Sequence, residues 1–359
     1  MLEEQSHILD GILEILREER PDGLLLAGDV YDKPAPSAEA VTLFDSFLTR
    51  LSEEGIETFL ISGNHDSPER LAFAAELIAK SGIHVSPVYH GEIDPILLDR
   101  GEEKAAVFLL PFLKPAAVRR FFPDAEIAGE NDAVRTALEA LAPTPGRKRI
   151  LLAHQTVLGA APSDSEEITI GGEAGVSAEV FRGFDYVALG HLHRPQRAGS
   201  DRIRYAGSPL KYSFSEADHE KSAAVIEWTG DGEIGVRFRE LRPLHDLRKL
   251  RGTYREVTDR AVYDGPGRED YLLITLTDEE DVPDAAAKLR VFYPNLMKME
   301  YDNRRTRAEQ KLDGAEESPE KTPLELFRAL YEKQNNAPMT EEQEAMLRPI
   351  MEKIWEDEL

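Results

Sequence analysis

Thr58-Phe59-Leu60-Ile61-Ser62-Gly63-Asn64-His65-Asp66 is the stretch that decides the fold. Its first half is a short apolar run of the kind that forms a buried strand. Gly63 ends the run, and three polar side chains then stand at the strand's carboxyl end, where open α/β sheets place ligands. Asn64 offers a neutral oxygen to a metal, and His65 offers an imidazole that can donate to a phosphate. Three other stretches have the same build: Leu24-Leu25-Leu26-Ala27-Gly28-Asp29, Ile150-Leu151-Leu152-Ala153-His154, and Tyr186-Val187-Ala188-Leu189-Gly190-His191-Leu192-His193. One Asp, one Asn and several His at strand ends point to a two-metal site.

Around these strands the pattern alternates. Residues 2–20 carry Ile8, Leu9, Ile12, Leu13, Ile15 and Leu16 at helical spacing, and Pro21 ends that helix. Ser37 caps a helix over about 38–53, and Ser67 with Pro68 begins another that Gly82 closes. This βαβα rhythm predicts a largely parallel sheet with helices on both faces. Further strands are expected at 105–110, 202–206, 222–228 and 234–240, with helices at 114–122 and 132–141. The close spacing of the last three strands predicts a second sheet facing the first, hence a four-layer sandwich. The Gly- and Ser-rich loop 159–175 is placed to cover a site. Past Pro243 a strand (271–276), a helix (283–291) and a strand (296–301) make a small α+β domain.

With 359 residues the chain has ample core for two or three domains. No apolar run reaches the length of a membrane span. With no cysteine, disulfides and thiolate metal sites are excluded, and a reducing cytoplasm is expected. Any metal must be held by His, Asn and carboxylates, which suits Mn, Fe, Zn or Mg. A net charge of −25 argues against a broad nucleic-acid-binding surface. It leaves room for nucleic acid at one metal-lined cleft, where the cations supply the positive charge.

The chemistry follows from the residue types. Asp29 can bridge two cations with its two carboxylate oxygens. Two metals about 3.5–4 Å apart can clamp a phosphodiester and lower the pKa of a shared water. Asn64 adds a ligand without charge, and His154, His191 and His193 add imidazole nitrogens. His191 and His193 cannot share a strand face, so a turn at the strand end is needed for each to reach a different metal. Taken singly, each motif is weak. His7, His84, His90, His219 and His245 lack this setting and read as surface or core. In combination and in this order the four strand ends point to a metal site.

The order Gly-Asp, Gly-Asn-His-Asp, a lone strand-end His, then Gly-His-x-His resembles the calcineurin-like metallophosphoesterases. Ala27-Gly28-Asp29-Val30-Tyr31-Asp32, Gly63-Asn64-His65-Asp66-Ser67, Ala188-Leu189-Gly190-His191-Leu192-His193-Arg194, and Tyr205-Ala206-Gly207-Ser208-Pro209 followed by Ser213-Phe214-Ser215-Glu216 narrow this to the SbcD family of nuclease subunits. The resemblance implies an α/β four-layer sandwich over 1–242, a DNA-capping domain over 243–305, a linker over 306–323, and a helical pair over 324–359 that binds the SbcC ATPase subunit. It implies a homodimer within a heterotetramer acting on double-stranded DNA ends and hairpins, associated with the nucleoid. Two divalent ions are implied, Mn²⁺ first and Mg²⁺ as the alternative. By motif, Asp29 bridges the metals, Asn64, His154 and His191 complete one site, and His193 serves the other. His65 contacts the scissile phosphate and assists the leaving group, and Asp32 stands where the family has a residue that either supports the ligands from behind or faces the substrate. Dimerisation is expected through exposed Leu43, Phe47, Leu71 and Leu77. Competing readings are a phosphoesterase on nucleotides or phosphoproteins, and a non-catalytic binder of the ATPase.

The family opens with a strand ending in Asp-x-His, and this chain begins inside the helix that should follow it. A misplaced start codon, with Met1 an internal methionine, is the expected cause. A real truncation would leave one metal site with only Asp29 and His193, and a gap between the strands that the missing one joins.

Overall fold

The computed structural model describes residues 2–163, 175–228 and 234–304, with a few isolated positions beyond Arg304. In chain order the elements are α1 (Leu2–Glu19), β1 (Leu24–Leu26), α2 (Ala38–Glu53), β2 (Thr58–Leu60), α3 (Pro68–Leu71), α4 (Ala75–Ile78), β3 (Ile83–Val85), β4 (Ile96–Arg100) and β5 (Glu103–Leu110). Then come α5 (Pro115–Arg119), α6 (Glu130–Glu139), β6 (Lys148–His154), β7 (Tyr186–Gly190), β8 (Gln196–Ala198), β9 (Ser200–Tyr205), β10 (Ser222–Trp228) and β11 (Ile234–Glu240). A second unit follows with β12 (Leu247–Gly252), α7 (Tyr254–Val257), α8 (Arg260–Tyr263), β13 (Tyr271–Leu276), α9 (Ala285–Phe292) and β14 (Leu296–Tyr301).

Two sheets make the centre. One has the order β1-β2-β3, all parallel, and the other the order β4-β5-β6-β7-β9-β8. Successive side chains of a strand point to opposite faces, and here both faces are buried. On β5 and β6, Val107, Leu109, Ile150 and Leu152 join Phe59 and Ile61 in the core between the sheets. Their neighbours Ala106, Phe108, Leu110, Leu151 and Ala153 face outward onto Val118 of α5 and Val134, Ala137 and Leu138 of α6. On the far side of the first sheet, Leu60, Ile83 and Val85 pack on Leu13 and Leu16 of α1 and Phe47 and Leu51 of α2. The order helix–sheet–sheet–helix is the expected four-layer sandwich, and the continuous apolar runs follow from burial on both strand faces.

The strands divide between the sheets differently from expectation. The 202–206 strand is part of the six-stranded sheet, where β9 pairs in parallel with β7, and only β10 and β11 stand apart as an antiparallel pair. The expected helix over 68–81 is broken. Ala74 lies at φ 58°, and this left-handed residue interrupts the helical ladder between α3 and α4. Phe47 is buried under α1 rather than exposed, and Leu71 packs against the same core. Leu77 is exposed as expected, beside Phe73, which is 82% exposed.

Among the described residues, β1 and β10 each pair on one side only. Both line a single cleft of about 1520 Å³, whose walls include Leu25, Phe59, Ile150, Ile226 and Trp228. The second unit has a three-stranded parallel sheet, β12-β13-β14, packed on α9 through Ile274, Leu276, Leu289 and Leu296. β12 is a strand that the sequence pattern does not show, because Arg248, Lys249 and Arg251 break the alternation. Buried Glu4 ties this unit to α1. Its carboxylate accepts from Leu244 N (3.1 Å) and lies 2.6 Å from His245 Nδ1. The expected linker and helical tail, and residues 164–174 of the site-covering loop, lie outside the described residues, apart from Thr306 at the start of the linker and isolated positions in the tail.

Candidate metal centre

The register of the sheets brings four loops together. Leu26 is level with Leu60 in the first sheet, and His154 is level with Gly190 in the second. All four strands run the same way within their sheets, so the Asp29, Asn64, His154 and His191 tips meet at one end of the sandwich. Close backbone approach makes this possible. A Cβ on Gly190 would stand 1.7 Å from the Ala27 carbonyl oxygen, and one on Gly63 would stand 2.0 Å from Asp29 Oδ1. Only glycine fits either place. Asp29 and His191 are themselves bent into positive φ, at 50° and 95°. Such strained backbone persists only where its surroundings impose it.

Asp66 supplies part of that imposition. Its buried carboxylate accepts from the N–H groups of Gly63 (2.9 Å), Tyr31 (3.0 Å) and Val30 (3.1 Å). One side chain therefore fixes the loops after both β1 and β2. Burial holds its acid group above the ordinary range, against those three donors.

Asp29, His154 and His191 place one ligand atom each within 4.8 Å of one another. His154 is 1% exposed. Its Nδ1 donates to the Ala27 carbonyl at 2.7 Å, so Nε2 faces the centre. There it lies 3.0 Å from both Asp29 Oδ2 and Asn64 Oδ1. Asn64 Oδ1 is also 3.1 Å from His191 Nδ1. Electron-rich atoms from four residues thus converge on one point. Nitrogen and oxygen donors of this kind, with one carboxylate, suit a divalent transition metal, and a single such ion would serve all four at once. Burial pushes the Asp29 carboxyl up, and the His65 N–H, which donates to Oδ1 at 3.0 Å, pulls it down.

The remaining expected residues line the same cleft. His193 is not part of the Asp29–His154–His191 group. Its Nδ1 donates to Glu216 at 3.0 Å. His65 donates from Nδ1 to the Asp32 carbonyl at 3.0 Å, which turns Nε2 outward. Asp32 therefore reaches the site through its backbone. Its side chain is 86% exposed, next to Lys33. His84 and His245 are paired elsewhere, with Glu57 and Glu4. Asp66 and Glu216 were both visible within quoted motifs, but nothing local shows which backbone or ring each one holds.

A family model described as calcineurin-like phosphoesterase matches residues 3–195. A second, described as type 5 capsule protein repressor C-terminal domain, matches residues 243–335. The SbcD subunit of the nuclease SbcCD from Staphylococcus epidermidis is 33% identical over 301 residues, which is 83% of this chain and 79% of that protein. Among the described residues no helix is long and apolar enough to cross a membrane.

Proposed function

The chain belongs to the calcineurin-like phosphoesterases and, within them, to the SbcD family of nuclease subunits, and from that premise we propose that it cleaves DNA phosphodiesters at the tips of β1, β2, β6 and β7. The observation that carries the reading is the convergence of Asp29 Oδ2, Asn64 Oδ1, His154 Nε2 and His191 Nδ1. These four residues hold one divalent ion, and Asp29 and His193 contribute to a second. Mn²⁺ is the proposed metal. When bound, the ions neutralise phosphate charge and make water a better nucleophile.

The chain's own residues do the rest. Asp66 holds the Asp29 and Asn64 loops at a fixed separation. The Ala27 carbonyl fixes the tautomer of His154, as partners beyond the ligands do in metal sites. His65, held from Nδ1, presents Nε2 to the cleft, where it stabilises charge on the leaving oxygen. Asp32 fixes that ring through its carbonyl. The edges of β1 and β10 that line one apolar cleft support a further strand lying between them. The unit over 243–305 caps the DNA, residues 324–359 bind the SbcC-type ATPase subunit across a 306–323 linker, and two copies of each protein assemble in the cytoplasm at the nucleoid.

The test uses the complex with the ATPase subunit, Mn²⁺ and end-labelled linear and hairpin DNA. His65→Ala should keep metal and lose cleavage by roughly 10²–10⁴-fold, the range of a general acid. Near-normal cleavage, or metal loss in this variant, would contradict the assignment.

A further inference from the structure

Between β9 and β10 the chain makes a single turn of helix at Phe214–Glu216 and then enters β10 through Lys221. This segment is not near the Asp29 cluster in sequence, yet it carries a fully buried ion pair. Glu216 is 0% exposed and Lys221 is 4% exposed. Lys221 Nζ lies 2.6 Å from Glu216 Oε2, 2.8 Å from Ser208 Oγ and 2.8 Å from the His193 carbonyl oxygen. An ammonium has three protons, and these three acceptors use all of them.

The pairing with Lys221 occupies only one oxygen of the Glu216 carboxylate. The other, Oε1, accepts from His193 Nδ1 at 3.0 Å and from Tyr212 N at 3.4 Å. The ion pair therefore holds His193 twice: the lysine holds its carbonyl and the glutamate its ring. Three rings at the cleft donate from Nδ1 to the scaffold. His65 and His154 donate to backbone carbonyls, of Asp32 and Ala27. Among these three, His193 is the one with a charged acceptor. A buried carboxylate is costly unless it is paired and hydrogen-bonded, and this one is arranged so that the imidazole completes its set.

We infer that Glu216 is the positioning residue of His193, and that Lys221 is the counter-ion that lets a full carboxylate sit there. Donation from Nδ1 to Glu216 fixes the ring in the tautomer with its proton on Nδ1. The Nε2 lone pair is then presented to the cleft, and the charged acceptor makes that nitrogen a stronger donor to a metal. Tyr212 closes the other side, with its ring centroid 5.7 Å from that of His193 in an edge-to-face arrangement. The functional consequence rests on the metal reading of His193 given above. The tautomer itself does not.

The experiment uses the full chain, metal-free and labelled with ¹⁵N-histidine, and reads the tautomer of each ring from long-range ¹H–¹⁵N correlations. Wild-type His193 should carry its proton on Nδ1. The double variant Glu216→Leu with Lys221→Met removes both charges together, which buried pairs tolerate far better than loss of one partner. In it His193 should become a mixture of tautomers, while His154 is unchanged and Mn²⁺ binding at the Asp29 cluster keeps its wild-type affinity. An unchanged His193 tautomer in the double variant overturns the inference. If that variant does not fold, Glu216→Gln with Lys221→Met, which keeps the shape of the acceptor and also removes both charges, is read instead: the His193 ring ¹⁵N shifts must move and those of His154 must not, and unmoved His193 shifts overturn the inference. A shifted tautomer in a chain that binds no Mn²⁺ would leave the positioning role standing and refute the metal reading alone.

Discussion

Replacing Gly190 by alanine tests whether the site depends on two sheets touching at their strand tips. The new Cβ would stand 1.7 Å from the Ala27 carbonyl oxygen and 2.7 Å from His154 Nδ1. Relief requires β7 and the Ala27 loop to separate by about 1.5 Å, since non-bonded heavy atoms settle near 3–4 Å. The hydrogen bond from His154 Nδ1 to the same carbonyl, now 2.7 Å, cannot survive that movement. Overpacking costs about 1–3 kcal/mol and orphaning a buried donor a further 1–3, so the loss should be about 2–6 kcal/mol. Against a net stability of about 5–15 kcal/mol the chain should still fold. Its metal affinity should fall about 10–100-fold, the usual effect of disturbing a partner that orients a ligand. The assay is Mn²⁺ binding by electron paramagnetic resonance, with urea unfolding as the stability reading. Gly11→Ala is the control: within α1 its Cβ meets nothing within 4 Å, and it should be neutral or stabilising by up to about 1 kcal/mol. Wild-type Mn²⁺ affinity in Gly190→Ala would show that the site does not depend on this contact.

Asp66→Ala orphans three N–H groups on two loops; with Val30 and Tyr31 partly open to water, it should destabilise by about 2–5 kcal/mol in urea titration and weaken Mn²⁺ binding as well. Glu19 is hydrogen-bonded to Arg237 and Arg239, which hold its carboxyl down to about 2 from an ordinary 4.5. A depressed folded-state value means that the tie of α1 to β11 is fully present above pH 4.5 and is lost as pH falls through about 2; urea midpoints should fall less steeply over that window in Glu19→Gln than in wild type. Deleting residues 320–359 should leave Mn²⁺ binding intact and eliminate co-purification with the ATPase subunit, because Phe327, Leu330, Leu347, Ile350 and Ile354 recur at helical spacing in the sequence beyond a charged stretch; normal pull-down would refute that role.

The strand tips were legible because their signal is local. An apolar run, a glycine and a polar side chain lie within a few residues of each other, and the sheets place all four together. α2 was legible for the same reason, with Ser37 accepting from Ala40 N at its start. Sheet membership was not. The 202–206 strand resembles its successors in sequence, and its pairing with β7 is decided by contacts that spacing does not encode. The apolar face of α2 was visible, but Phe47 faces α1 and not solvent, since amphipathicity does not name the partner. Asp66 and Glu216 show the same limit at the site. Each acts on groups dozens of residues away or on a ring whose tautomer only the fold fixes.

Asp29, Asn64, His154 and His191 should together hold one divalent ion. The measurement is a Mn²⁺ titration of the full chain and of His191→Ala, with bound ion counted by electron paramagnetic resonance. Wild type should bind the ion held by these four residues, and His191→Ala should bind one ion fewer. The same stoichiometry and affinity in both proteins would contradict it.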